Sequence, residues 1–450
     1  MTLVNGHGLA VSTPSRPALE AAERALWRMM SFYGAPLDDL DAAMRADPSW
    51  AVPHAMKAGF LFGLTEPTLR GDAFAALAEA RRLAGHANDR ERSHVGALER
   101  LAAGDWHGAG ESWTALLADH PRDALALQWG HLFDFHRGDS TMLHERIARA
   151  LPAWHAADPL YPYVLGLHAF GLEESGGYDE AEATGRQALA GAAKVPWAIH
   201  AVAHVMEMQS RHDEGQRWMG EWRRDWGDHE GEHRNGFAGH LGWHEALFAL
   251  ESLDHAGALA AFDAYLGADA NEITLQRVDA ASMLWRLELH GCAVGERWQA
   301  LLAGWALGDD SAVSTKAGHS AFNDLHALLA LLGAGDTARA GDWLAESLAR
   351  SDERAGWNRE VMRDIGAPLM RGLLAFGQGR HDAAAEALLA VRGRAAQIGG
   401  SHAQRDLVDQ TLLAACARGS HRAAGRALLA QRATTRPPTP LSAWWAAALR

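Results

Sequence analysis

The chain has 450 residues, 48% hydrophobic and 22% charged, which is the composition of a folded protein too long for one compact core. A net charge of −14 excludes a general nucleic-acid binder, which needs a basic surface. The two cysteines, Cys292 and Cys416, exclude a disulfide framework and a cysteine-rich zinc module and point to a reducing interior.

Residues 1–16 read as a flexible N-terminus. They lack a basic segment followed by a sustained apolar run, so no secretory signal is expected. No stretch approaches the ~18 apolar residues of a membrane span. The expectation is a cytoplasmic protein without a membrane or nucleic-acid partner, its oligomeric state open.

From 17 to 432 one continuous helical-repeat domain is expected. Apolar residues recur at helical spacing in segments of ~12–16 residues, with almost none of the period-two alternation of strands. Segments 19–84 and 90–150 parse into helix pairs. Sharper pairs follow: 161–175 with 179–192, 197–210 with 214–226, 236–253 with 256–266, and 275–290 with 294–305. Three more are 319–332 with 337–350, 364–378 with 383–396, and 403–418 with 421–432. The turns share a signature, as in Gly104-Asp105, Gly177-Tyr178-Asp179, Arg211-His212-Asp213, Gly335-Asp336 and Gly379-Arg380-His381-Asp382. Glycine closes one helix in the left-handed conformation, and the Asp or His-Asp caps the next.

The fold predicted is all-α: a tetratricopeptide-like α-solenoid, a right-handed superhelix of helix-turn-helix repeats. Polar, glycine-bearing connections at 227–235 and 308–318 are placed as loops over its groove. Residues 433–450 form a proline-rich tail ending in a short helix with Trp444 and Trp445, which caps the last apolar face. The 18 tryptophans are expected between helices.

Among 25 histidines, two pairs stand out: His200/His204 and His240/His244. Four-residue spacing puts each pair on one helix face, and the forty-residue offset is about one repeat. The stripe continues through Glu207 and Arg211, then Asp279, Ser282 and Arg286, then His319, Asn323 and His326, with Asp324 on an adjoining face. The first helix of each pair lines the concave side of such a solenoid. Four successive inner helices would therefore aim imidazoles, carboxylates, a guanidinium and an amide into one space.

Histidine exchanges protons near neutral pH, and a carboxylate can fix its tautomer. His204, His240 and His244 are the acid/base candidates, oriented by Glu207 or Asp279. His200, Asn323, Asp324 and His326 are assigned to ligand binding, and Arg286 or Arg405 to anchoring an anionic group. With no evident nucleophile, proton transfer or hydrolysis by an activated water fits better than covalent catalysis. The leading reading is a small, anionic organic ligand in a closed pocket, processed by an enzyme of unassigned class. Two alternatives stay open. One is an interaction scaffold binding a peptide in the groove. The other is a divalent-metal-dependent hydrolase holding its ion with His200, His204, His240 and His244. Neither pair carries the glutamate of the His-Glu-x-x-His motif, and no phosphate-binding, dinucleotide-binding or serine-elbow motif occurs, so no cofactor is called for.

Five blocks carry a family resemblance: HAVAHVMEMQSR from His200, GHLGWHEALFALE from Gly239, RVDAASMLWRLEL from Arg277, FNDLHALLAL from Phe322 and IGGSHAQRDLVDQTLL from Ile398. In these the chain resembles the tetratricopeptide repeat protein 38 family. The resemblance implies a tetratricopeptide-like superhelix and no particular reaction. It singles out His200, His204, Glu207, His240, His244, Asp279, Arg286, Asp324, His326, Arg405 and Asp406.

Overall fold

The computed structural model describes residues 3–192, 194–227, 235–267, 273–305 and 316–450. Helix follows helix throughout, and among the described residues there is no strand beyond an isolated bridge between Val4 and Ala10. The Gly-Asp turns act as expected. Gly104 sits at φ +87°, and Asp105 behind it accepts from the Gly108 N–H at 2.9 Å to start the next helix. Asp336 does the same for Arg339 N–H at 3.0 Å. The longer turn signatures work differently. There the first cap residue is Gly177, Arg211 or Arg380, without a side-chain bond, and Asp179, Asp213 and Asp382 fall inside the first turn. In that position they stabilise the helix through its dipole, by about 0.3–1 kcal/mol each, rather than by capping.

The chain divides into two compact units, Met1–Val202 with Arg223–Phe237, and Ala203–Trp222 with Ala238–Arg450. The first stacks the pairs Arg16–Ser31/Pro36–Ala46, Ala51–Gly63/Arg70–Leu83, Asp89–Ala102/Trp106–Asp119, Ala124–His136/Ser140–Ala150 and Tyr161–Glu174/Tyr178–Gly191. Its N-terminal segment is held, not loose: Ser12 N–H donates to Glu91 at 3.0 Å, and Asn88 N–H donates to Ser12 Oγ at 2.8 Å.

The second unit continues with Ala238–Glu251/His255–Tyr265, Thr274–Leu289/Arg297–Gly304, Ala321–Gly333/Thr337–Asp352, a bent helix over 357–377 with His381–Val391, and His402–Arg418/Arg422–Arg432. The bend has a cause. Pro368 cannot donate to the carbonyl four residues back, and the chain widens into a π turn over Met362–Gly366. This helix begins at Trp357, seven residues before the sequence expectation, because its first turns are mostly polar and show little apolar periodicity. The loops expected over the groove, 227–235 and 308–318, lie mostly outside the described residues.

In this unit the first helices Ala238–Glu251, Thr274–Leu289 and Ala321–Gly333 are buried on nearly every face, and their second helices only on one. Thr337–Asp352 buries Ala340, Trp343, Leu344, Ser347 and Ser351, whereas Ala321–Gly333 buries all but its last residue. On Thr274–Leu289 one side is covered by the His402–Arg418 helix. Trp285 Nε1 donates to Thr411 Oγ1 at 2.9 Å, and Arg418 donates to the Leu289 carbonyl at 3.0 Å. That side of Thr274–Leu289 is therefore occupied by the unit's own chain. Trp243, Trp298, Trp343 and Trp445 are each at most 2% exposed. At roughly 25 cal/mol per Å² of apolar surface, such rings are among the largest single contributions to the core.

The tail does more than cap the last repeat. Thr439 starts the Pro440–Ala448 helix, and its hydroxyl donates to Glu251 at 2.8 Å. Ser210 Oγ donates to the Pro437 carbonyl at 2.8 Å, and Trp445 Nε1 donates to Gln410. The tail thus crosses from the last pair back to the first helices of the unit.

Candidate functional site

The second unit holds most of the residues that the sequence singled out. His204 lies on the helix Pro196–Met208, and His240 and His244 lie one turn apart on Ala238–Glu251. One ring nitrogen from each of the three falls within 4.8 Å of the others. The His204 and His244 ring centroids are 4.5 Å apart at 61°, and those of His240 and His244 are 5.0 Å apart at 89°. His204 and His244 are fully buried, while the His240 side chain keeps 15% of its exposure. His200, one turn before His204, belongs to the first unit, where its ring is 5.0 Å from Phe170 and 5.1 Å from both Trp197 and Phe237.

Each histidine of the 238–251 helix faces a carboxylate through Nδ1. His240 Nδ1 is 2.7 Å from Asp279 Oδ2, and His244 Nδ1 is 3.3 Å from Glu207 Oε2. An ionised carboxylate only accepts, so Asp279 fixes the His240 tautomer with the proton on Nδ1 and the lone pair on Nε2. The other Asp279 oxygen accepts from Gln404 Nε2 at 3.1 Å. Gln404 is itself positioned by a capping box. Ser401 Oγ accepts from Gln404 N–H at 3.2 Å, and Gln404 Oε1 accepts from Ser401 N–H at 3.1 Å. Gly400 makes the approach possible. Its φ is +80°, and a Cβ there would come within 2.6 Å of Phe322.

Burial, and then the neighbouring imidazoles, hold His204 and His244 well below the ordinary histidine range, so both are neutral at pH 7. Burial raises Glu207, and Arg436 opposes that rise. The positions that carry glutamate in His-Glu-x-x-His are here Ala201 and Leu241, both fully buried. A charge would be unsupported at either.

The two arginines expected to anchor an anion do other work. Arg286 donates to Ser282 Oγ and to the carbonyls of Ala403 at 2.7 Å and Gln404 at 3.3 Å, with its guanidinium 5.5 Å from the centre of the Trp243 ring. Arg405 donates to the Gly400 carbonyl. Arg286 meets the first turn of the His402–Arg418 helix, and Arg405, on that turn, reaches back to the residue before its cap. Arg286 in particular fastens that helix to Thr274–Leu289. Arg211 faces the turn after its helix and pairs with Glu214 at 2.6 Å.

The remaining candidates lie apart from the imidazoles. His326 Nδ1 donates to the Phe322 carbonyl at 2.8 Å, and burial lowers its pKa to about 4. Asp279 and Arg286 are close enough to act on it electrostatically. Asn323 is buried, with its N–H on Ser320 Oγ. Asp324 accepts from Gly318 N–H at 2.9 Å and shapes that turn. Its burial raises the carboxyl to about 8. Asp406 is held far below the usual range. Burial acts to raise it, but Arg432 and Arg436 together outweigh that, and Gln410 donates to its second oxygen at 2.9 Å.

Two residues at the site escaped the sequence reading. Gln404 was signalled by the Ser-x-x-Gln capping box in the block from Ile398, where attention fell on Arg405 and Asp406. Arg436 had no signal, since it sits in a tail without periodicity. Its guanidinium donates to the Glu207 carbonyl at 3.1 Å and lies 3.9 Å from the Glu207 carboxylate, 3.7 Å from Glu251 and 4.0 Å from Asp406.

Fold and site together define a tetratricopeptide-like helical-repeat protein with a histidine–carboxylate cluster inside its second unit. Among the described residues no helix is long and apolar enough to cross a membrane. No protein-family model matches the sequence. Among solved structures the chain is similar to a human IFIT1 dimer with m7Gppp-AAAA, at 13% identity over 96% of this chain and 93% of that one, TM-score 0.41. It is similar to yeast Tom70 at 10% identity over 96% and 87%, TM-score 0.38. A tetratricopeptide repeat protein from Parabacteroides merdae is 13% identical over 72% of this chain and 98% of its own, TM-score 0.30.

Proposed function

We propose that the second unit is a small-molecule site in which His240, oriented by Asp279, exchanges a proton with a bound organic ligand or with a water that attacks it. What carries this reading is the His402–Arg418 helix packed along Thr274–Leu289. The His402–Arg418 helix lies where a repeat scaffold would receive an extended peptide, and it supplies Gln404 to the His240–Asp279 pair. His204 and His244 provide neutral walls, and His240, the more exposed of the three, faces the entering ligand. The ligand's charge is not set by Arg286 or Arg405, which are bonded to carbonyls. The kinship with the tetratricopeptide repeat protein 38 family belongs to the same proposal, because its blocks contain His240, Asp279 and Gln404.

The test is to identify small molecules released from the purified protein by mass spectrometry and titrate them back by calorimetry. His240→Gln should weaken binding by roughly tenfold or more, the scale of one lost hydrogen bond to a charged group, with an unchanged thermal midpoint. Equal affinity in wild type and variant would sink the reading.

A second reading, an interaction scaffold, draws on the helix-pair fold and on a cleft of about 330 Å³ lined by Leu429, Ala433, Pro437, Leu441 and Trp445. A peptide held there should be lost on Leu429→Glu and retained in His240→Gln.

A further inference from the structure

We propose that His204, His240 and His244 form a binding site for one first-row divalent cation of the zinc and cobalt type, with Asp279 and Glu207 as outer partners of two of the ligands. This goes beyond proton exchange with an organic ligand, and it stands on the cluster's geometry alone.

Three observations carry it. First, the three rings are not stacked but turned about a common region, at 61° and 89° to one another. With metal–nitrogen bonds of about 2.0–2.1 Å and a ring centre about 1.2 Å behind its nitrogen, imidazoles around one ion keep their centres roughly 4.5–5.3 Å apart. The observed separations of 4.5 and 5.0 Å match that spacing. The donor nitrogens lie within 4.8 Å of each other, and on binding one ion they would draw in to the roughly 3.3 Å of a tetrahedral set.

Second, His240 directs Nδ1 at Asp279 at 2.7 Å, and His244 Nδ1 lies 3.3 Å from Glu207 Oε2 in an ion-pair contact. This is the carboxylate–histidine arrangement that orients metal-bound imidazoles and strengthens them as donors. Asp279 is fixed in turn by Gln404, so the order extends one bond further out.

Third, the charges near the rings suit a cation. Asp279 and Glu207 are within contact of the imidazoles, and they face the charge of Arg405, which is felt at His204. Three nitrogen ligands leave a fourth position for water, the pattern of reactive rather than structural zinc sites. Asn323 and His326 stay outside the set, since His326 Nδ1 is engaged by its own helix.

The experiment uses the full chain produced without an affinity tag, stripped with chelator, and then dialysed against Co2+ or Zn2+ alone. The expected result is one Co2+ per chain, with visible ligand-field bands of nitrogen coordination, and a rise in thermal midpoint with added Zn2+. His204→Gln, His240→Gln and His244→Gln should each abolish the bands, while His54→Gln, in the first unit, leaves them unchanged. Asp279→Asn and Glu207→Gln keep all three ligands and should weaken binding about 10–100-fold. They remain informative if a histidine variant fails to fold. Substoichiometric binding by the wild type at micromolar free metal overturns the proposal. So does full binding by the folded His240→Gln and His244→Gln proteins. Because metal is the only probe, either result leaves the small-molecule reading to its own test.

Discussion

Replacing Arg436 with methionine removes the positive charge that three carboxylates share while keeping most of the side-chain volume. Arg436 lies 3.9 Å from Glu207, 3.7 Å from Glu251 and 4.0 Å from Asp406, and its side chain is 11% exposed. At an effective dielectric constant of about 20 each attraction is about 4 kcal/mol before desolvation. Desolvation of the guanidinium cancels most of that sum. Removing one partner of a buried group of charges typically costs about 3–5 kcal/mol, because the charges left behind are unpaired. Asp406 retains Arg432, and Glu251 retains the Thr439 hydroxyl, so the lower end, about 3 kcal/mol, is expected. For a unit of this size that lowers the thermal midpoint by roughly 6–12 °C.

The loss should depend on pH with a definite sign. Glu207 is already raised by burial, and Arg436 is the largest influence opposing the rise. A carboxyl raised on folding contributes stability that is complete below its unfolded pKa and is lost as pH climbs through its folded pKa. Without Arg436 that window widens upward. The deficit of the variant should therefore be larger near pH 8 than near pH 5. Urea unfolding followed by tryptophan fluorescence, with Trp445 beside the tail, measures both quantities. A deficit under about 1 kcal/mol, or one equal at the two pH values, would refute the reasoning.

Asp324→Asn keeps the acceptor for Gly318 N–H but cannot ionise. Since the folded carboxyl titrates at about 8, the wild type should lose stability as pH rises from about 4 to 8, and the variant should not, so denaturant midpoints at pH 5, 7 and 9 should diverge upward for Asn. Gly400→Ala places a methyl in a left-handed backbone and against Phe322; a loss of about 2–3 kcal/mol is expected in chemical denaturation, and a neutral result would mean that the turn can relax. Gln404→Leu leaves one Asp279 oxygen without its donor, and about 1–3 kcal/mol should be lost. Combining it with Asp279→Leu should cost less than the two changes summed, and strict additivity would show that the pair does not interact.

The helices were legible because their ends are written locally. Gly104-Asp105 and Gly335-Asp336 each place a left-handed residue and a capping carboxylate at adjacent positions, and the structure uses both. The imidazole pairs were legible for a similar reason, since spacing within a helix decides which side chains share a face. What spacing could not reveal is what lies opposite. Arg286 has the look of an anion anchor until the Ala403 and Gln404 carbonyls arrive from more than a hundred residues away. The buried first helices carry apolar residues all round, as Ala321–Gly333 does, so periodicity alone gives no sign of which face is covered by His402–Arg418. The tail was hardest to place, because the charge of Arg436 in an irregular segment says nothing about which carboxylates it will meet.

The contact between Gln404 and Asp279 joins residues 125 positions apart in the sequence, and one of the two is part of a helix start. During synthesis His240 and Asp279 emerge early and can pair with each other at once. Their second support leaves the ribosome only with the last repeats, after loop closure over a quarter of the chain. A prematurely terminated or clipped product can therefore contain every histidine of the cluster and yet lack the finished site. The Asp279 side of the cluster therefore depends on a contact of high sequence separation, and losing the helix from His402 would free the His240 partner without touching any histidine of the cluster.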